Sequence, residues 1–138
     1  MRINTLVAMF VVTAPLWAVA SSAQTSPGMD KLTRTSRCSV AIFRFIGGQN
    51  TSSTLEMNND GNWCWFDSYY RANNQYLSAY YVSVAIPPKH GRIQIGDIPN
   101  SKVRVAYQPA QGFVGSDSFT IHFGVADSDV AIAVNVSN

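Results

Sequence analysis

The sequence predicts an all-β protein: a two-layer β-sandwich of seven to eight short strands with one disulfide. Three observations carry that expectation. Apolar and polar residues alternate with a period of two through most of the chain, the signature of half-buried strands. Turn-forming residues punctuate the alternation at short intervals, and no stretch sustains the 3.6-residue apolar period of a helix. Cys38 and Cys64 are the only cysteines, in a chain that opens like an exported one, so they are expected to pair.

Taken in order, the chain begins with an address. Met1-Arg2 supplies a positive start and Leu6 to Ala14 a short apolar run. Ala18-Val19-Ala20 and Ser21-Ser22-Ala23 each offer the small residues that a signal peptidase reads. Residues 1–23 are expected to be a secretory signal peptide cut after Ala23, with Ala20 as the alternative. Residues 24–36, polar and containing Pro27-Gly28, read as a flexible leader. Residues 37–138 then form one sandwich domain. The first strand is expected over Cys38 to Ile46, with Val40 and Ile42 opposed to Ala41, Phe43 and Phe45. Ser53–Met57 and Trp63–Phe66 flank Asp60-Gly61, a step that predicts a hairpin. Tyr76 to Ile86 is the longest apolar run, apolar on both faces, and is expected in the middle of a sheet. Arg92 to Ile95 is a short strand. Val103, Val105 and Tyr107 share one strand face, with Lys102 and Arg104 turned away. Phe119, Ile121 and Phe123 form a second inward row, and Val130, Ile132, Val134 and Val136 a third. The outward Ala131 and Ala133 are apolar for a solvent face, fit for a neighbouring strand or a partner.

Composition narrows the function. Charged residues are 13% of the chain and the net charge is only +2, falling to +1 once Arg2 leaves with the expected signal peptide. That charge is too small for binding driven by phosphate neutralisation, so nucleic acid is not an expected partner. No run after the leader is apolar enough to cross a membrane. A disulfide closing a loop of 27 residues is worth about 3.5 kcal/mol on the chain-entropy account, which matters in a small domain.

The C-terminal half carries a recognisable pattern. Pro88-Lys89-His90-Gly91 is followed by Tyr107-Gln108-Pro109, then by Gly112-Phe113-Val114-Gly115-Ser116-Asp117-Ser118-Phe119-Thr120 and a final alternating strand. Residues 87–136 resemble one unit of the bacterial immunoglobulin-like, cadherin-like tandem repeats of secreted and surface proteins. The resemblance implies an immunoglobulin-like sandwich serving as a spacer, an adhesive unit or a carbohydrate-contacting domain. This sequence departs from the pattern in holding a single copy and in replacing the usual Asp-Gly turn by Gly124-Val125-Ala126-Asp127. The physics of the shared residues is structural. Pro109 cannot donate to a ladder and should end its strand. Gly112 and Gly115 permit positive φ around Phe113. Asp117 can accept hydrogen bonds from backbone amides, and Tyr107 and Phe119 supply core rings.

Candidate sites follow from the remaining residues. Trp63, Trp65, Phe66, Tyr69, Tyr70, Tyr76, Tyr80 and Tyr81 crowd one segment. Of these, Trp63, Trp65, Tyr69, Tyr70 and Tyr81 are the candidate binding residues, because rings with a polar handle suit a sugar or a protein partner. The competing reading is core packing beside the disulfide. Cys64 lies between Trp63 and Trp65 and alternates to the opposite face. Glu56, Asn58, Asp60 and Asp67 imitate a calcium loop, but the end residues are of the wrong kind and the flanks read as strands. Asp127 and Asp129 form a second acidic turn, where calcium is left open beside a plain solvated turn. His90 and His122 have no partner at zinc-ligand spacing, and no metal or other cofactor is expected. No nucleophile elbow or paired carboxylates nominate an enzyme. The expected role is a non-catalytic module of the periplasm or cell exterior that contacts an envelope or extracellular protein. Glycan binding through the aromatic segment is the alternative, and a small hydrolase is the third.

Overall fold

The computed structural model describes residues 28–44, 46–72 and 75–138. The signal peptide, residues 24–27 of the leader, Phe45, the Asn73-Asn74 turn and the Tyr76 side chain lie outside the described residues. The strands are β1 (Cys38–Val40), β2 (Thr51–Asn58), β3 (Cys64–Ser68), β4 (Arg71–Ala72), β5 (Gln75–Tyr76), β6 (Val82–Ile86), β7 (Gly91–Ile98), β8 (Lys102–Pro109), β9 (Gly115–Phe123) and β10 (Ser128–Ser137). Two single 3₁₀ turns, Met29–Lys31 and Ala79–Tyr81, complete the regular structure.

Eight of these strands build the expected sandwich. One sheet has five strands in the order β1-β2-β10-β9-β6, and the other has three in the order β3-β8-β7. The strands β4 and β5 form a separate two-stranded ribbon. All neighbours are antiparallel except β2 and β10, which run parallel from Thr51↔Val130 to Asn58↔Ser137.

The core follows the alternation read from sequence. Val103, Val105 and Tyr107 of β8 are buried against Phe119, Ile121 and Phe123 of β9 and Val130, Ile132, Val134 and Val136 of β10. Leu55 and Met57 of β2 complete the interior. Cys38 and Cys64 are joined, with Cα atoms 5.3 Å apart, and so tie β1 of one sheet to β3 of the other. Ala131 and Ala133 lie exposed on the outer face of the five-stranded sheet.

Three expectations are corrected. The first strand is only Cys38–Val40; beyond it the chain leaves the sheet, and Ile42 is 97% exposed. Asp60-Gly61 does not join a hairpin. Gly61 adopts the expected positive φ of 83°, but β2 already holds β1 on one edge and β10 on the other, which leaves no edge for β3. The chain arches to the second sheet instead. Its backbone bonds elsewhere: the Asn59 amide donates to the Ser137 carbonyl and the Trp63 amide to the Thr33 carbonyl. The Tyr76–Ile86 run is not central. Only Val82–Ile86 is a continuous strand, and it is the outermost strand of its sheet. The run is apolar on both faces because Val84 and Ile86 stand at an uncovered edge, 37% and 59% exposed.

Residues 28–36 belong to the segment read as a flexible leader. They pack on the outer face of the three-stranded sheet, where Met29 and Leu32 are buried with Trp63 and Ala106. Arg34 pairs in parallel with Trp63, and the Thr35 amide donates to the Trp63 carbonyl.

Candidate functional site

The aromatic segment divides according to strand pleat. Cys64 points into the core, so Trp63 and Trp65 face outward from the three-stranded sheet. Their rings are covered by arginines. Arg92 lies 5.0 Å above the Trp63 ring, and Arg34 and Arg104 lie 5.1 and 4.4 Å from the Trp65 ring centre. Arg104 is fixed in turn. Its Nε and one terminal nitrogen donate to the two Asp67 oxygens at 2.7 and 2.9 Å, and the other donates to the Met29 carbonyl. Cation–π contacts of this kind contribute about 0.5–1 kcal/mol each at exposed sites. Tyr70 packs against the core, Tyr69 is 73% exposed, and Tyr81 stands edge-on to Tyr80 in the turn before β6. The five candidate residues therefore do not form one platform. The arginines were the missed half of this surface. Arg104 turns outward as expected, but in the β3–β8 ladder it lies opposite Asp67 and diagonal to Trp65, a register that the sequence alone does not give.

The residues carrying the family resemblance form one connected scaffold. Asp117 accepts hydrogen bonds from the amides of Lys89 (3.0 Å), His90 (2.9 Å) and Ser118 (2.8 Å), and from the Tyr107 hydroxyl (3.0 Å). Burial raises the Asp117 carboxyl's pKa, but the three amides and the hydroxyl together outweigh it and hold the group below the ordinary carboxylate value. Burial first, and then the hydrogen bond to Asp117 and its charge, push the Tyr107 hydroxyl far up. The His90 ring stacks on Phe113 at 4.4 Å, and Tyr107 stacks on Phe119 at 5.7 Å. Gly112 and Gly115 take positive φ on either side of Phe113, and Pro109 ends β8, each as expected.

The acidic candidates have other partners. Glu56 pairs with Arg37, and Asp67 with Arg104. Asp60 accepts from the amides of Ser36 and Asn62, and the Ser36 bond is the main cause of its lowered pKa. Asp129 meets His122 Nδ1 at 2.7 Å. Among the described residues, no three His, Cys, Asp or Glu side chains converge on a metal position. In the sheet register Ser83 lies opposite His122, which lies opposite Asp129, so a serine, a histidine and an aspartate share one cross-strand row. The row lies along an open sheet face, and no hydrogen bond joins Ser83 to the histidine.

Among the concave surfaces of the described residues, the two of largest volume bear on function. A shallow uncharged groove crosses the five-stranded sheet beside β6, lined by Ser52, Thr54, Ile86, Thr120, Ala131 and Ala133 among others. A larger polar groove of about 840 Å³ opens at the end of the sandwich between the Asn59–Gly61 arch, the Lys89–Arg92 segment and the Gln108–Gly112 turn.

Fold and surface together define a disulfide-linked two-sheet β-sandwich whose edge strand β6 is uncharged. Comparison with known proteins finds no family model that matches the chain and no matching curated protein.

Proposed function

We propose that the mature chain is an exported, non-catalytic, immunoglobulin-like interaction module that receives an extended segment of an envelope or extracellular protein along β6. The observation that carries this reading is the edge itself. Val82-Ser83-Val84-Ala85-Ile86 holds no charge and no proline, ends a five-stranded sheet, and leaves Val84 and Ile86 in solvent. Natural edge strands are normally blunted by lysine, proline, a bulge or a covering loop; β6 has one register shift, between Val84 and Ile86, and no charge or proline, which leaves Val82–Val84 as a regular template for strand addition. The groove beside it, floored by Ala131 and Thr120, offers uncharged space for alternate side chains of an added strand. The paired cysteines and the signal-like start support export. The resemblance over residues 87–136 supports the immunoglobulin-like assignment, and the Asp117 scaffold gives its residues a structural role.

The other two readings have less support. Sugar stacking needs open ring faces, and guanidinium groups cover Trp63 and Trp65. Hydrolysis needs a cleft with converging polar groups, and the Ser83–His122–Asp129 row lies on an open sheet. The test is retention from native envelope extract on the immobilised mature domain, run beside a glycan array. The expected result is a protein that wild type retains and Val84→Lys releases, with a silent array. Equal retention by the two forms, or glycan capture in place of protein, would overturn the reading.

A further inference from the structure

The polar groove at the end of the sandwich is independent of the β6 edge and has its own chemistry. Its potential hydrogen-bonding side chains, Gln111 apart, fall into two sets. One set is already used. Asn59 donates to the carbonyls of Ala110 and Phe113, Gln108 donates to the Gly61 carbonyl at 2.6 Å, and the Asp60 carboxylate is engaged by the Ser36 and Asn62 amides. The other set consists of cations. Arg92 is held in place by two contacts: its Nε donates to Gln108 Oε1 at 2.8 Å, and its plane lies 5.0 Å over the Trp63 ring. Neither contact uses its terminal nitrogens, and among the described residues no carboxylate pairs with it. Lys89 lines the same groove, and among the described residues its ammonium group has no ion pair. The walls between them are Gly61, Gly91 and Gly112, where backbone can approach a ligand closely.

We infer that this groove is a binding site for a carboxylate-bearing ligand, held by the terminal nitrogens of Arg92 and the ammonium group of Lys89. A guanidinium already fixed by stacking and by one hydrogen bond loses little freedom when it grips a carboxylate with its remaining donors. The single acid of the groove, Asp60, keeps its charge, but its oxygens are engaged by the Ser36 and Asn62 amides and the two cations outnumber it. The same carboxylate chemistry is presented by a uronate sugar and by the free C-terminus of a peptide, and the experiment separates them.

Sodium glucuronate and N-acetyl-dialanine are titrated separately into the isotopically labelled mature domain, with glucose and the dialanine amide as neutral controls. The amide resonances of Gly61, Gly91 and Gly112 report on the groove. Saturable shifts are expected with at least one acid and with neither control, and whichever acid binds names the source. Affinity should fall at least about tenfold in Arg92→Gln, the loss of one charge-assisted contact. It should also weaken in about 1 M salt, where the screening length shrinks to about 3 Å. Lys89→Gln removes an ammonium group with no hydrogen bond or ion pair among the described residues and leaves the Lys89 amide bond to Asp117 in place, so its weaker binding tests the site with little effect on the fold. Silence of the three glycines with both acids, equal shifts with the neutral controls, or unchanged affinity in Lys89→Gln and Arg92→Gln would overturn the inference.

Discussion

Asp117 shows how much of the C-terminal half depends on one side chain. Its two oxygens close the Pro88–Gly91 turn onto the start of β9 and satisfy the hydroxyl of the buried Tyr107. Asp117→Ala leaves those donors without an acceptor and should cost about 2–3 kcal/mol, read as a shift in the urea midpoint. The lowered pKa fixes the pH dependence. The unfolded chain takes up a proton near the ordinary value of 3.8, before the folded protein does. The stabilisation is therefore complete above that pH and is lost as pH falls through the lower folded value. Urea midpoints followed from neutral into the acid range should fall less steeply in Asp117→Ala than in wild type, with Asp60 supplying part of the slope that remains. Gly91 is constrained by space. A Cβ there would lie 2.5 Å from Tyr107 Cε2 and 2.6 Å from the Gln108 carbonyl oxygen. The ring is buried and the carbonyl belongs to β8, so neither can yield. Gly91→Ala should cost about 1–3 kcal/mol in the same measurement. The sequence shows that Asp117 accepts backbone amides, because an aspartate in a Gly-rich turn does so locally. It does not show that two of those amides lie 27 and 28 residues away, since only the fold brings them together.

At the scale of strands, what was legible and what was not separate by cause. The inward rows of β9 and β10 were readable because each buries one face, and a period of two then names the buried residues; the row of β8 was readable in the same way although Ala106 on its other face is also buried, under Met29 and Leu32. Pairing was not readable, because it depends on which edges other strands have already taken. Asp60-Gly61 carries the chemistry of a hairpin turn, yet both edges of β2 are occupied from the far end of the chain. A run apolar on both faces admits two explanations, burial in a central strand or an open edge, and composition cannot choose between them. The disulfide was readable because two cysteines have one pairing. It joins the three-residue β1, the shortest strand of its sheet, to β3. Its removal in the Cys38→Ser/Cys64→Ser double variant should lower stability by about 3 kcal/mol, measured by thermal or urea unfolding of the two forms side by side.

For the whole molecule, the two outer faces of the sandwich are treated differently. The five-stranded sheet leaves Ser52, Thr54, Ala131 and Ala133 bare, whereas the three-stranded sheet is covered by residues 28–36 and by arginines laid on tryptophans. That cover is built from polar sequence with two apolar anchors. Met29 and Leu32 are its buried residues on the tryptophan side, and Thr35 donates its hydroxyl to the Asn58 carbonyl at the rim of β2. A segment of this composition has no period to betray its packing, so its role became visible only against Trp63 and Ala106. It also fastens the neighbouring groups, since Arg104 bonds the Met29 carbonyl and Arg34 lies over Trp65. Beginning the mature domain at Arg37 removes both anchors, the Arg34 contact and the backbone bonds to Trp63. Burial of two such side chains contributes about 1.5–3 kcal/mol each before the entropy of ordering the segment is subtracted. A net loss of about 2–4 kcal/mol is expected, which for a domain of this size lowers the melting temperature on the order of 10 °C. Trp63 and Trp65 are the only tryptophans of residues 24–138, so in that segment fluorescence reads this face alone and should shift to the red in the shortened form. An unshifted spectrum with an unchanged melting temperature would show that the three-stranded sheet does not need the segment that covers it.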